Sequence, residues 1–486
     1  MTEVTLVGAG GRNITVPTGL FIDNEFSSST DNKTIDVENP ATGDFLATVA
    51  AAQVADVNRA VLSAEAAFKS TWRFITPEKC RTLLNKLADL VERDAEELAS
   101  LQAVDAGVLY RQSLAMDIPQ AVETCRYYAG WVDKLEGQSM KISQGMAYTQ
   151  CEPIGVCAAI VPWNAPLMIT MWKLAPAIAA GNTLIIKTPE LAPLYGQKLA
   201  QLIAESGFPP GVINILCGLG NVAGQALADH ALVRKISFTG STAVGRRILE
   251  SSSRTNLKRV TLELGGKSPS IVFSDAALEN ALLHTTQGIT VHNGQICAAG
   301  SRIYVQDKIY DRFVAEFSAR TKDAVAGDPL AGQKARVTAY IGTALHEGTK
   351  LLHGGERGAD SAPSGGHFVP NTAFVDVAPT ATVMREEIFG PVASIARFNT
   401  EEEAIALAND NCYGLAASVF TDDVNRAIRV SNSIEAGQVT VNMWGTVNTS
   451  TPFGGVKESG FGRDLGKDAL EDWTQVKTVK FNLQGR

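Results

Sequence analysis

Four short apolar runs constrain this chain more than any other feature. They are VCAAIV (156–161), TLII (183–186), VINIL (212–216) and KISF (235–238), each closed by a polar or glycine-rich turn and followed by a helical pattern. Strands buried on both faces read as continuous apolar runs, and a recurrence of roughly 20–30 residues is the spacing of consecutive βαβ units. The pattern predicts an α/β fold around a doubly wound parallel sheet, with ligands at the carboxyl ends of the strands. The turns there hold Pro162, Trp163 and Asn164, then Lys187 and Glu190, then Gly218, Gly220 and Gly224, then Phe238, Gly240 and Ser241. The glycines allow backbone to approach a ligand. Gly240 and Ser241 open a helix, whose free N–H groups and hydroxyl suit a phosphate. Lys187 and Glu190 suit ribose hydroxyls.

A second glycine cluster, Gly8-Ala9-Gly10-Gly11, competes for that role. The dinucleotide fingerprint needs a third glycine where this chain has Asn13, and then a helix facing the pyrophosphate. The following ITVPTGLFIDNEF is β-branched and aromatic, so a turn within an N-terminal β-segment is expected instead. Two helices come next. Val57, Ala60, Val61, Ala64, Ala67 and Phe68 share one face. Thr76-Pro77 then caps a helix that buries Cys80, Leu83, Leu84, Leu87, Leu90 and Val91.

A chain of 486 residues is too long for one core, so two or three subdomains are expected. Lys and Arg total 43 against 51 Asp and Glu, and no basic cluster offsets the net charge of −8, which disfavours nucleic acid. No apolar run is long enough for a bilayer span and no signal-peptide layout opens the chain, so a cytoplasmic protein without a membrane partner is expected. The seven cysteines (80, 125, 151, 157, 217, 297, 412) include no CxxC pair and read as reduced thiols. The six histidines lack ligand spacing, and no metal is expected.

Two further stretches carry chemistry. ELGGKSP places Glu263 at the end of an apolar run, and GQIC places Cys297 among small residues. With PWN and FTGS before them, and EEIFGP (386–391) and PFGGVKESGFGR (452–463) after, these motifs closely resemble the aldehyde dehydrogenase superfamily, from about Gly19 to the C-terminus. The resemblance implies a Rossmann-like cofactor domain (1–130 and 152–262), an α/β catalytic domain (263–458) and oligomerisation elements (131–151 and 472–486), the last pairing AYTQCEP with TVKFNLQG. It implies a homodimer or homotetramer. Cys297 becomes the nucleophile, Glu263 the general base, Asn164 an oxyanion donor and Lys173 a member of the proton path. NAD, with NADP left open, would lie among Ile160, Pro162, Trp163, Lys187, Glu190, Gly220, Gly224, Phe238, Gly240, Ser241, Val244, Leu264, Gln333, Glu387 and Phe389. Glu190 favours NAD, because a carboxylate accepts from a 2′-hydroxyl and repels a 2′-phosphate.

These assignments imply oxidation of an aldehyde to a carboxylic acid through a covalent thioester. A binding or assembly relative without catalysis is the alternative, and CoA acylation is disfavoured by Glu263. The substrate would meet Ala165, Met168, Trp172, Ile296, Val447 and Phe453. Many relatives carry an aromatic residue after PWN; here it is Ala165, and GTVNTST (445–451) is also small, so a roomy channel for bulky or aromatic aldehydes is expected. No arginine sits in either stretch to capture a second carboxylate. The chain departs from the family after GDPL (327–330), where a longer connection is usual.

Overall fold

The computed structural model describes residues 3–322, 331–355 and 366–483. The four apolar runs are the parallel strands Val156–Ile160, Thr183–Thr188, Ile213–Cys217 and Lys235–Thr239, and Arg259–Glu263 is a fifth. Across the sheet the order is Arg259–Glu263, Lys235–Thr239, Val156–Ile160, Thr183–Thr188, Ile213–Cys217, with every neighbouring pair parallel. Short antiparallel strands extend both edges: Leu20–Ile22 and Glu25–Ser27 on one side, Gly460–Phe461 on the other. The winding reverses between Val156–Ile160 and Lys235–Thr239, and a doubly wound sheet opens its ligand crevice at such a switch point.

Helices cover both faces. One face packs against Leu83, Leu87, Ala121, Leu167, Leu174 and Leu199, the other against Val57, Ala60, Val61, Ala64, Leu227 and Ile248. The expected helical faces are observed. Val57, Ala60, Val61, Ala64 and Ala67 are buried in the Val54–Lys69 helix, with Phe68 half-buried. In the Pro77–Arg93 helix, Thr76 accepts the Lys79 amide N–H, and Cys80, Leu83, Leu84, Leu87, Leu90 and Val91 are buried.

A seven-stranded sheet forms the second core, in the order Lys350–His353, Thr372–Val375, Val392–Phe398, Arg302–Gln306, Pro269–Val272, Ala416–Phe420, Gln438–Val441; only the first strand is antiparallel. A three-stranded antiparallel sheet joins Ser139–Ile142, Gly145–Pro153 and Thr474–Asn482. The pairing of AYTQCEP with the C-terminal strand is therefore present. Residues 8–11 turn between the antiparallel strands Glu3–Val7 and Asn13–Pro17, with Gly10 and Gly11 at φ of 70° and 77°. The glycines there serve a turn, with a strand rather than a helix after it. No helix among the described residues is long and apolar enough to cross a membrane.

Candidate active site

Parallel strands all end on one edge, and here those ends carry the motifs. Ile160 closes the central strand and Lys187 lies near the end of the next. Gly220 begins a π-turn after Ile213–Cys217. Thr239 and Glu263 close the last two strands.

The crevice residues have defined partners. Lys187 Nζ donates to Glu190 Oε2 at 2.5 Å, and Glu190 Oε1 accepts the Gly220 N–H at 3.1 Å. Lys187 and these hydrogen bonds hold the Glu190 carboxyl below the usual carboxylate range, although burial opposes them. Glu190 therefore stays ionised, with one side of its carboxylate fixed by the glycine turn. Ser241 caps the Thr242–Arg254 helix, but its hydroxyl makes no capping bond. Gly240 differs from expectation. Its N–H donates to the Glu263 carbonyl at 3.0 Å, so it ties two strands rather than offering a free donor. Val244, on the first turn of that helix, is 40% exposed, whereas Phe238 and Leu264 are buried. An ionised acceptor beside a glycine turn, an unused hydroxyl at a helix N-terminus and exposed apolar surface fit an adenine dinucleotide.

Across the crevice, Trp163 packs edge-on to Phe389 of the facing unit with ring centroids 5.6 Å apart. Gln333 Nε2 donates to the carbonyls of Ile388 (3.1 Å) and Phe389 (2.6 Å), so it supports the EEIFGP turn. Glu387 Oε1 accepts the Gly266 N–H at 3.2 Å, and burial pushes its carboxyl up to about 7. A Cβ at Gly265 would overlap the Glu387 carboxylate and one at Gly266 the Cys297 carbonyl. The two glycines of ELGGK are thus required by close approach. GDPL (327–330) lies outside the described residues, and the residues directly after it form the Ala331–His346 helix that carries Gln333.

A cavity of about 450 Å³ opens between the two units. Cys297, Glu263 and Asn164 line it together, as do Ala165, Met168, Trp172, Ile296, Val447 and Phe453. Lys173 does not reach the wall. It is 1% exposed and pairs behind the cavity with Asp464 at 2.5 Å; Asp464 itself lines the cavity. Glu263 is buried and neither carboxylate oxygen has a hydrogen-bond partner. Burial, reinforced by Asp464 and opposed by Lys173, holds it well above the usual carboxylate range. The half-buried Cys297 thiol is pushed up to about 12 by burial and by the charges of Glu387 and Glu263. At rest the thiol keeps its proton, and the carboxyl holds its own more tightly than an exposed glutamate does.

Asn164 Nδ2 donates to the Gln295 carbonyl at 2.9 Å. An amide carries two N–H groups, so one fixes the side chain and one remains. The loop before Cys297 is wound left-handed at three successive residues, His292, Asn293 and Gly294 (φ 55°, 57° and 66°). Such backbone persists only when its surroundings enforce it. His292 supplies that hold: its Nδ1 faces Gln112 Nε2 at 3.4 Å and its Nε2 bonds the Asn164 carbonyl. Burial pushes this imidazole down to about 4, so it is neutral, accepting at Nδ1 and donating from Nε2. The thiol loop and the PWN turn are thereby joined.

Sequence reasoning missed His292, Asp464 and Trp444. His292 lies in VHNG and Asp464 in GFGRDLG, motifs whose neighbouring residues drew attention first. Trp444, immediately before the small GTVNTST stretch, also lines the cavity, and its Nε1 donates to the Ala298 carbonyl at 3.1 Å.

This fold, with its dinucleotide crevice opening beside a thiol-bearing cavity, is that of an oxidoreductase acting on aldehydes. The chain belongs to the aldehyde dehydrogenase family, whose model matches residues 26–479. It is 46% identical to an aldehyde dehydrogenase of Davidiella tassiana, over 99% of each chain. To retinal dehydrogenase 2 of Gallus gallus it is 42% identical, over 96% of this chain and 92% of that one. Among solved structures, the NAD+ complex of aldehyde dehydrogenase from Bacillus cereus matches with a TM-score of 0.94 at 42% identity, covering 96% of this chain and 97% of that one.

Proposed function

We propose that this aldehyde dehydrogenase uses Cys297 as its nucleophile and NAD as its oxidant to convert a bulky, largely apolar aldehyde to the carboxylic acid. The observation that carries this reading is the meeting of Cys297, Glu263 and Asn164 on one cavity wall. The thiol loses its proton to water as substrate enters, and the sulfur adds to the carbonyl carbon. The second Asn164 N–H donates to the oxyanion that forms. NAD, when bound, would supply the acceptor for the aldehyde hydrogen, whose departure as hydride leaves a thioester on Cys297. Glu263 then removes a proton from water attacking that thioester, the C–S bond breaks, and acid is released with the thiolate restored. Lys173 and Asp464, which pair at 2.5 Å and whose charges both act on Glu263, would pass its proton onward.

Lys187, Glu190, Gly220 and Ser241 would hold the adenosine half of NAD, with Ile160, Pro162, Trp163, Gly224, Phe238, Gly240, Val244 and Leu264 forming the walls. Gln333, Glu387 and Phe389 would hold the nicotinamide half. The cavity volume lies within the range of sites for drug-sized ligands, which supports a ring-sized aldehyde. Trp172 packs in one cluster with Ala165, and Trp444 lines the same cavity. The named relative that is a retinal dehydrogenase agrees with a large substrate. Residues 1–130 with 152–262, and 263–458, are read as cofactor and catalytic domains. Residues 131–151 and 472–486 are read as elements of a homodimer or homotetramer, and the location as cytoplasmic. NADH formation across acetaldehyde, hexanal, benzaldehyde and a terpenoid aldehyde tests the reading. Acetaldehyde giving the highest kcat/KM would refute the bulky substrate.

A further inference from the structure

The cavity holds a polar group that the reaction above does not use. Asp117 lines the wall, is 4% exposed, and its Oδ2 is buried without a hydrogen-bond partner. It ends the stretch Ser113–Asp117, which is wound as a π-helix before the Ile118–Ala129 helix begins. Single π-turns inside helices are costly and recur at functional sites. Leaving a carboxyl unpaired in an apolar wall is also costly, unless a ligand completes it. Trp172, which lines the same cavity, carries a second orphan: its indole N–H is buried and has no acceptor. No lysine or arginine lines the cavity among the described residues.

We infer that Asp117 is a specificity-determining residue that selects aldehydes carrying a hydroxyl group away from the carbonyl. The inference rests on the reading of this cavity as the aldehyde site. A hydroxyl donates to the Asp117 carboxyl, and its oxygen is an acceptor of the kind the Trp172 N–H lacks. A carboxylate on the substrate would face Asp117, Glu123, Glu263 and Asp464 with no cation on the wall. An ammonium would have to shed its water among Met168, Ile296, Val447 and Phe453, and burial already pushes the Asp117 carboxyl up to about 7, towards its uncharged form. A neutral donor avoids both costs.

Matched pairs test this: hexanal with its ω-hydroxy analogue, and para-ethylbenzaldehyde with para-(hydroxymethyl)benzaldehyde. In the wild type, kcat/KM should favour the hydroxylated member by about 10- to 100-fold, the worth of a hydrogen bond to an ionisable buried group. In Asp117→Leu the ratio should collapse towards one, whereas Asp117→Asn, which keeps a carbonyl acceptor, should retain most of it. Equal rates in the wild type, or an undiminished ratio in Asp117→Leu, would overturn the inference. Calorimetric binding of hexanediol against hexanol provides a readout independent of turnover. A diol preference lost in Asp117→Leu supports the inference and its absence in the wild type overturns it. Failure of every aldehyde pair to turn over counts against the aldehyde site itself, so the two failures are distinguishable.

Discussion

Replacing Glu263 by glutamine should separate the two halves of the reaction. The substitution is close to isosteric and exchanges an unpaired buried carboxyl for an amide, so the fold has little reason to change. Burial and neighbouring charge raise the Cys297 thiol from 9.0 to about 12. That rise costs the thiolate about 4 kcal/mol, or about a thousandfold in population. Glu263 contributes to it through its charge, so Glu263→Gln should lower the pH midpoint for alkylation of Cys297 by iodoacetamide. The loss of a positioned base for hydrolysis is worth about 10²–10⁴-fold. Steady-state kcat should therefore fall within that range, while rapid mixing still yields one equivalent of NADH and mass spectrometry finds a trapped acyl-enzyme. In the wild type the rate should rise with pH, because Glu263 must lose a proton that burial makes it hold above the usual carboxylate range. An unchanged kcat would remove Glu263 from the mechanism. Loss of the NADH burst would show instead that Glu263 also ionises the thiol.

Four other outcomes are expected. Cys297→Ala should abolish aldehyde oxidation while NAD titration, followed by fluorescence, remains close to wild type; retained turnover would place the nucleophile elsewhere. NAD should be preferred over NADP through the ionised Glu190, and Glu190→Gln should narrow that preference in kcat/KM; a wild-type preference for NADP would contradict this. Ala165→Phe adds a ring beside Ile169, Trp172 and Phe453, and should cut kcat/KM for benzaldehyde relative to acetaldehyde by an amount worth about 1–3 kcal/mol; no change in the ratio would show that the pocket lies elsewhere. Asp105 is fully buried and held at about 8, with one oxygen accepting from the Leu194 and Tyr195 amides and the other unpaired. Its folded carboxyl binds a proton that the unfolded chain releases near 4, so stability should fall as pH rises from about 4 through about 8. Asp105→Asn should flatten that slope in thermal melts; an unchanged slope would mean that other groups set it.

Much of this molecule is legible in the linear chain because its information is local. A run of apolar residues closed by a turn becomes a parallel strand wherever helices can cover both faces, and all four such runs did so. Thr76-Pro77 marked a helix start because a side-chain cap acts within one turn. The rejected glycine cluster at residues 8–11 was likewise a local matter, since an anion site needs a helix directly after it. Motif resemblance went further and nominated Cys297, Glu263 and Asn164, which the fold brings to one cavity from three separate segments. What the sequence did not contain was the set of interactions between residues far apart in it. His292 links the thiol loop to Asn164 across 128 residues, and Lys173 meets Asp464 across 291. Gly240 spends its N–H on the Glu263 carbonyl, which no local rule foretells. Burial is also a tertiary property. The same carboxyl that is ordinary in an extended chain becomes a proton-holding group when the fold closes over it, and only packing decides which of the 51 acidic residues meet that fate.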